Sequence, residues 1–351
     1  MYQLNKKIKE LVPYEPVSGT YEIRLDANEC PDNLPGEILS EFQQKLADIS
    51  FNRYPDPLAE KLVDSFAEYY GVNPALVTAG NGSDELIFLI ESAFMEKGDK
   101  MLVVSPDFSM YNFYSSICEV SCESFQKDNS LDIDVDALID KINRDGIDMV
   151  IFSNPCNPTG RGIDRAQAEK LVGSVSALVI LDEAYMDFWS ESLLDKIEEY
   201  SNLIIFRTAS KLVGSAALRL GFAVANTTIS TAIKAVKSPY NVNSVSQAFG
   251  EVIYRHKDYL LKRGETIVNN KEMLYNGLVK LAATHSGITV YSSVANFVFV
   301  KTDRAAEIWE FLKSKSIVIR LMGGYLRITA GTEAEVSATL AALNELFEVN
   351  P

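Results

Sequence analysis

The sequence predicts an α/β protein with a mainly parallel central sheet in a large domain and a smaller α+β domain. The chain has 351 residues, enough for about two domains at ~150 residues each. Between residues 75 and 222, short β-rich runs alternate with longer amphipathic stretches, as in βαβ units. Past residue 240 the pattern changes. We expect residues 1–50 to form an arm and part of the small domain, 51–240 the large domain and 241–351 the small domain.

Five strands are predicted in the large domain, and each precedes a polar turn. They are Leu76–Thr78, Met101–Val104, Met149–Phe152, Leu178–Leu181 and Leu203–Phe206. After the first of them a glycine turn opens a helix, because apolar residues recur at helical spacing from Leu86 to Phe94.

The small domain is predicted from a long helical stretch and a mixed series of strands and helices. The predicted strands are Ile288–Tyr291, Asn296–Val300, Ile317–Arg320 and Leu326–Thr329, with a helix near residues 308–312. A capping box from Thr332 to Glu335 marks the start of the last helix. The first 50 residues carry several prolines and fit neither pattern, so we expect an arm that lies across other surfaces.

Composition excludes several classes of function. The net charge of −15 opposes nonspecific binding to nucleic acid or anionic membranes. Two histidines and four scattered cysteines show no spacing typical of a transition-metal site, so no metal is predicted. No apolar run approaches the ~18 residues of a membrane span, and the basic N-terminus lacks the apolar segment of a signal peptide. We therefore expect a cytoplasmic protein with small-molecule ligands.

Candidate chemistry lies just after the predicted strands, because ligands of open parallel sheets bind beyond the carboxyl ends of the strands. The first strand leads into the turn Gly80–Asp84, whose backbone N–H groups and following helix N-terminus are suited to a phosphate. This turn fits neither GxxxxGK[ST] nor GxGxxG, so neither a P-loop nor a Rossmann site is predicted.

The later strand ends carry reactive side chains. The third strand is followed by Asn157 in a proline-containing turn, and the fourth by Asp182 and Tyr185. The fifth leads to Lys211, and Arg219 follows eight residues later. Together these positions resemble a site for pyridoxal phosphate, whose carbonyl, pyridine nitrogen, phenolic oxygen and phosphate each need a different partner.

Each group of that cofactor has a candidate partner in the sequence. Lys211 would form the Schiff base and then act as general acid and base, since a lysine amine is nucleophilic where its surroundings favour the neutral form. Asp182 would keep the pyridine nitrogen protonated. Asn157 and Tyr185 would hydrogen-bond the phenolic oxygen, and Phe108 would stack on the ring. The phosphate would be held by Gly82, Ser83, Asp84, Thr208, Ser210 and Arg219.

These motifs also carry a resemblance to a known family. Over nearly its whole length the chain resembles the fold-type I, pyridoxal-phosphate-dependent aminotransferases of class I/II. The Asp-x-x-Tyr motif, the Ser-Lys pair and the later arginine are its most specific parts. The resemblance is carried by Leu25–Glu29, Arg53–Asp56, Gly80–Glu85, Asn157–Gly160, Asp182–Tyr185, Ser210-Lys211, Leu218–Gly221, Ser238–Asn243, Ala295–Phe297 and Leu326–Thr329.

The resemblance implies a homodimer with shared active sites, in which Tyr54 reaches the cofactor phosphate of the other protomer. It implies histidinol phosphate as the amino donor and 2-oxoglutarate as the acceptor. Arg327 would bind the carboxylate or phosphate of either substrate, because a guanidinium accepts both in bidentate fashion. Arg320, Tyr14 and Asn28 would assist it. The stretch between Arg320 and Arg327 is shorter than in many members of the family.

Other functions stay open at this point. Threonine-phosphate decarboxylases use the same cofactor and also bind a phosphorylated amino compound, and a broad aromatic aminotransferase would share most of the motifs. From a different class comes a non-catalytic α/β protein that binds a nucleotide or acts as a scaffold. Against it stand Lys211 and Asp182, which such a protein does not need.

Overall fold

The computed structural model describes residues 2–9, 11–13, 15 and 17–349, with the backbone alone at Val349. Its strands form a seven-stranded sheet and a five-stranded sheet. In chain order the strands are β1 (Ile23–Leu25), β2 (Val77–Gly80), β3 (Lys100–Ser105), β4 (Ser121–Gln126), β5 (Met149–Ser153), β6 (Leu178–Asp182), β7 (Leu203–Thr208), β8 (Gly221–Ala225), β9 (Ile288–Tyr291), β10 (Phe297–Thr302), β11 (Ile317–Met322) and β12 (Tyr325–Thr329).

Helices cover both sheets. In chain order they are α1 (Lys6–Lys9), α2 (Gly36–Ala47), α3 (Glu60–Tyr70), α4 (Ser83–Phe94), α5 (Met110–Cys118), α6 (Val135–Asp145), α7 (Arg165–Ser174), α8 (Thr227–Val236), α9 (Ser244–Ile253), α10 (Lys257–Thr284), α11 (Ala305–Ser314) and α12 (Glu333–Val349). Within the described ranges, none of these helices is long and apolar enough to cross a membrane.

The large sheet has the strand order β2-β8-β7-β6-β5-β3-β4. Strands β4, β3, β5, β6 and β7 are mutually parallel, whereas β8 runs antiparallel to both β2 and β7. Neighbouring residues of one strand enter different apolar clusters, as Val150 and Ile151 of β5 do. Because helices cover both faces, the central strands β5, β6 and β7 are nearly continuous apolar runs. The predicted α/β class with a mainly parallel sheet is confirmed.

The small sheet has the order β1-β11-β12-β10-β9. Strand β1 lies parallel to β11, and the other neighbours are antiparallel. Its apolar face packs with side chains of α10, α11 and α12. The N-terminal segment therefore contributes an edge strand to a sheet otherwise made by the last third of the chain.

Two strands of the large sheet were not predicted. Strand β4 has the sequence SCESFQ, and its half-exposed position at the sheet edge permits polar residues that mask the strand pattern. Strand β8, GFAVA, follows directly on the loop that carries Arg219 and consists mostly of small residues. The five strands predicted for this sheet are confirmed, with ends that differ by a residue or two.

Candidate active site

Asp182 is the last residue of β6, so it lies at the carboxyl edge of the parallel strands, and its side chain is buried. Its carboxylate accepts hydrogen bonds from the Tyr111 hydroxyl at 2.8 Å and from the Ala184 N–H at 3.1 Å. Burial raises the pKa of Asp182 to about 6, and these hydrogen bonds oppose the rise. Near neutral pH the carboxyl is thus mostly ionised and lies in a site where a neighbouring cation is strongly favoured.

Lys211 lies in the loop after β7, and the chain segment after β1 closes over it. Its Nζ donates a hydrogen bond to the Ala27 carbonyl at 3.2 Å and lies 5.4 Å from the centre of the Tyr185 ring. The Tyr185 hydroxyl in turn accepts from the Asn28 amide at 2.9 Å. The segment after β1 therefore contacts the segments after β6 and β7, more than 150 residues away in sequence, beside the Lys211 amine.

Asn28 adopts a left-handed backbone conformation, with φ of 54°, and is held from the small sheet. The Thr329 hydroxyl donates to the Asn28 amide oxygen and accepts from the Asn28 N–H, both at 3.1 Å. The Asn296 amide donates to the Asn28 carbonyl at 3.3 Å. These contacts direct the Asn28 NH₂ group towards Tyr185, so the small sheet fixes the orientation of a side chain beside the lysine.

A second group of donors surrounds the N-terminus of α4. Helix α4 begins at Ser83, and no side chain caps it. Across the strand register, Gly221 of β8 pairs with Gly80 on one side and with Thr208 on the other. A Cβ atom added at Gly221 would lie only 2.3 Å from the Ser83 nitrogen, so the helix start and Thr208 flank this glycine closely.

Hydroxyl and guanidinium groups complete this second group. The Thr208 and Ser210 hydroxyl oxygens are 3.0 Å apart, and the Ser210 N–H also donates to Thr208. The Arg219 guanidinium forms an ion pair with Asp84 at 3.0 Å and lies close to Gly82, where an added Cβ would approach Nη2 to 2.8 Å. Free N–H groups at a helix start, two hydroxyls and a guanidinium are the donors that a phosphate prefers.

Arg327 of β12 connects the small sheet to the large one. Its guanidinium donates to the side-chain oxygen of Asn157 and, at 2.7 Å, to the Asp26 carbonyl. Arg320 of β11 is the direct register partner of Arg327, so both side chains leave the same face of the sheet. The short connection between β11 and β12 is thus a tight hairpin that sets the two arginines side by side.

The remaining predicted site residues have various locations. The Phe108 ring contacts Tyr111 edge-on at a centroid distance of 5.5 Å. Tyr54 is 81% exposed and stacks on Tyr240 at 4.6 Å, so within its own chain it faces outward. Tyr14 lies outside the described residues. The structure thus places Tyr185 beside both Lys211 and Asn28, and Asn157 beside Arg327. Tyr54 makes its ring contact with Tyr240 and not with these side chains.

Several residues that organise the site were not predicted. Tyr111 lies in the first turn of α5 and contacts Asp182, a residue 71 positions away, so the local sequence gave no signal for it. Lys127 bridges two site loops, because its Nζ lies 2.8 Å from both the Pro106 carbonyl and the Cys156 sulfur and 3.9 Å from the Asp107 carboxylate. Lys127 follows the unpredicted strand β4, so nothing in the local sequence indicated it.

Comparison with known sequences identifies the family to which a protein with this fold and site belongs. Residues 20–343 match the model of the family "Aminotransferase class I and II". The chain belongs to this family.

Individual relatives narrow the comparison. The chain is 40% identical over 335 residues to a protein of Clostridium novyi named histidinol-phosphate aminotransferase, covering 94% of this chain and 93% of that protein. Among solved structures it is similar to the histidinol-phosphate aminotransferase of Sinorhizobium meliloti in complex with pyridoxal-5'-phosphate, with a TM-score of 0.88, 22% identity and coverage of 100% and 99%. It is also similar to L-threonine-O-3-phosphate decarboxylase from Porphyromonas gingivalis, with a TM-score of 0.78, 21% identity and coverage of 93% and 99%. At these sequence identities, the two similarities establish the fold and nothing further.

Proposed function

We propose that the chain is a pyridoxal-phosphate-dependent aminotransferase of histidine biosynthesis. It would transfer the amino group of L-histidinol phosphate to 2-oxoglutarate and release imidazole-acetol phosphate and L-glutamate. The observation that carries this proposal is the 40% identity to the Clostridium novyi relative over nearly the whole of both chains. The geometry around Lys211 supports it, because its amine lies 5.4 Å from the Tyr185 ring, and the buried Asp182 carboxylate ends the strand three residues before Tyr185.

The residues present fit the cofactor group by group. The uncapped start of α4, the two hydroxyls at Thr208 and Ser210, and Arg219 would hold its phosphate. Asp182 would bind the pyridine nitrogen. Asn157 and Tyr185 would donate hydrogen bonds to the phenolic oxygen. When bound, pyridoxal phosphate supplies an electron sink that stabilises negative charge at the substrate Cα.

The protein's own groups would carry out the remaining steps. The Lys211 amine would remove a proton from the substrate Cα and return it, acting as general base and then as general acid. The ionised Asp182 carboxylate would keep the pyridine nitrogen protonated throughout. Tyr185, fixed by Asn28, would hold its hydroxyl at one orientation during both half-reactions.

Arg327 would bind the anionic end of each substrate. Its two terminal nitrogens now contact Asn157 and the Asp26 carbonyl, which hold the guanidinium plane in place. A planar guanidinium accepts a carboxylate or a phosphate in the same bidentate way, so one arginine serves glutamate and histidinol phosphate in turn. Arg320, on the same face, would add a second positive charge suited to the more highly charged phosphate.

The test is a spectral titration of the purified holoenzyme with histidinol phosphate, glutamate and phenylalanine, followed by turnover with 2-oxoglutarate. We expect histidinol phosphate to convert the bound cofactor to its amine form at the lowest concentration. A preference for phenylalanine would identify an aromatic aminotransferase instead. A protein that takes up no pyridoxal phosphate would overturn the whole proposal and favour a binding or scaffold protein.

A phosphate-directed decarboxylase is the second candidate, because the fold is shared with the Porphyromonas gingivalis enzyme. The two activities differ in what leaves the substrate Cα, a proton or CO₂. Incubation with threonine phosphate labelled in its carboxyl carbon distinguishes them. We expect no labelled CO₂, and its release at the rate of amino transfer or faster would refute the aminotransferase assignment.

The proposal includes the assembly, the location and the domain division. A homodimer is supported by the outward stack of Tyr54 on Tyr240, an apolar surface suited to a second copy. A cytoplasmic location is supported by four free cysteines, which suit a reducing compartment. The division at residues 50 and 240 is supported by the two separate sheets, the small one joined by β1.

A further inference from the structure

Tyr111 is a buried tyrosine whose hydroxyl points at the carboxylate of the proposed cofactor site. It lies on α5 with no exposed surface, and its hydroxyl is 2.8 Å from Oδ2 of Asp182. The ring also contacts Phe108, so one side chain touches both the carboxylate and the candidate stacking ring. Burial raises the pKa of the Tyr111 phenol well above its usual value, so the hydroxyl keeps its proton and remains a donor.

The other charged groups around Asp182 disfavour its ionised form. Asp107 precedes the α5 helix, Asp84 lies in the first turn of α4, and both carboxylates repel a charge on Asp182. Each has a cation of its own, with Lys127 at 3.9 Å from Asp107 and Arg219 at 3.0 Å from Asp84. The Cys156 thiol also faces Tyr111 within this cluster, and burial raises its pKa, which keeps it neutral.

The ionised form of Asp182 is therefore stabilised by hydrogen bonds. Among the described residues they come from the Tyr111 hydroxyl and the Ala184 N–H. The second of these belongs to the backbone two residues along and holds Oδ1, whereas Tyr111 reaches Oδ2 from another element. Without the phenol, Oδ2 would keep its buried position and lose its donor, which favours protonation of the carboxyl.

We infer that Tyr111 is a positioning residue that keeps the Asp182 carboxylate ionised and oriented for the pyridine nitrogen of the cofactor. The inference rests on the proposed function, since it concerns the same cofactor site. Tyr111 would act through Asp182 and would not touch the reacting atoms. Loss of the Tyr111 hydroxyl would change the dissociation constant of the cofactor and the pH range in which the cofactor binds.

The experiment compares the wild type with Tyr111→Phe, which keeps the ring and its contact with Phe108 but removes the hydroxyl. Tyr254→Phe is the matched control, because Tyr254 is equally buried and its hydroxyl has no hydrogen-bond partner in the described part of the chain. Apoenzyme is titrated with pyridoxal phosphate between pH 5 and 8.5, and the dissociation constant is obtained from cofactor absorbance. The pH profile of kcat/KM is then measured on the holoenzymes.

We expect Tyr111→Phe to weaken cofactor binding about 10-fold near pH 7, the usual effect of a lost hydrogen bond to a charged group. The acid-side midpoint of both profiles should move to higher pH by about one unit, because the carboxyl gains a proton more readily. Tyr254→Phe should leave both profiles unchanged. Profiles of Tyr111→Phe that coincide with those of the wild type would overturn the inference and make Tyr111 a packing residue.

A second variant decides the matter if Tyr111→Phe fails to fold. Incorporation of 3,5-difluorotyrosine at position 111 keeps the hydroxyl and makes it a stronger donor, so the acid-side midpoint should move to lower pH. No movement, or movement to higher pH, would overturn the inference. Wild-type protein that binds no pyridoxal phosphate would instead overturn the proposed function, so the two failures are distinguishable.

Discussion

Glu91 makes the stability of this protein depend on pH. The side chain lies on α4 with no exposed surface, close enough to Tyr114 and Cys118 of α5 to act on them electrostatically. Neither carboxylate oxygen has a hydrogen-bond partner among the described residues. Burial raises the pKa of Glu91 from 4.5 to about 8. The carboxyl is therefore neutral in the folded protein near pH 7 and ionised in the unfolded chain.

The sign and size of the effect follow from this difference. Between pH 4.5 and 8 the folded state binds one more proton than the unfolded state, so stability falls as pH rises through this range. The slope approaches about 1.4 kcal/mol per pH unit and flattens above pH 8. Between pH 5.5 and 8.5, Glu91 alone should lower the free energy of unfolding by about 3 kcal/mol.

Glu91→Gln removes this term, because an amide of the same shape does not titrate. Urea unfolding of wild type and variant is followed by circular dichroism at pH 5.5 and 8.5, with the exposed Glu96→Gln as a control for a changed surface charge. We expect the variant to gain about 3 kcal/mol relative to wild type on going from the lower to the higher pH. A wild-type–variant difference equal at the two pH values would refute the reasoning.

Three further predictions concern the site. Lys211→Ala should lower kcat by ~10³-fold or more, since the proton-transferring amine is lost, and steady-state turnover of histidinol phosphate measures this; retained turnover would contradict the role. Arg327→Lys should raise KM for both histidinol phosphate and 2-oxoglutarate by about 10- to 100-fold, because a lysine cannot form the bidentate contact; an effect on one substrate alone would exclude a shared anion site. Gly221→Ala should weaken pyridoxal-phosphate binding, because its Cβ would lie 2.3 Å from the Ser83 nitrogen, whereas Gly173→Ala on α7, with no atom within 4 Å, should bind the cofactor normally in the same fluorescence titration.

Residues at strand ends were predictable because their environment follows from local pattern. An apolar strand that ends in Asp182 places the carboxylate at the sheet edge whatever the rest of the chain does. The contact between Asn28 and Tyr185 was not predictable, since it joins residues 157 apart in sequence through a strand pairing that leaves no local signal. Lys127 was missed for a related reason, because its role depends on where an irregular polar edge strand lies.

The pairing of Arg320 with Arg327 could not be predicted from the length of the chain between them. The short stretch between Arg320 and Arg327 departs from many family members, yet the hairpin it forms aligns both side chains on one face. A connection of two residues, Gly323 and Gly324, is enough, because antiparallel neighbours need only a tight turn. Loop length was thus a poor guide to whether Arg320 shares the face of Arg327.

The pairing of β1 with β11 also determines when during synthesis the site can form. Residues 23–25 leave the ribosome early, but their parallel partners at 317–319 are among the last to be translated. Until then, the segment that supplies Ala27 and Asn28 has no strand to pair with. Lys211 belongs to the large domain, whose last strand ends at residue 225, so it is translated well before that pairing can form. A nascent chain can therefore fold most of its mass and still lack the contacts of Ala27 with Lys211 and of Asn28 with Tyr185, which form only as the C-terminal segment emerges.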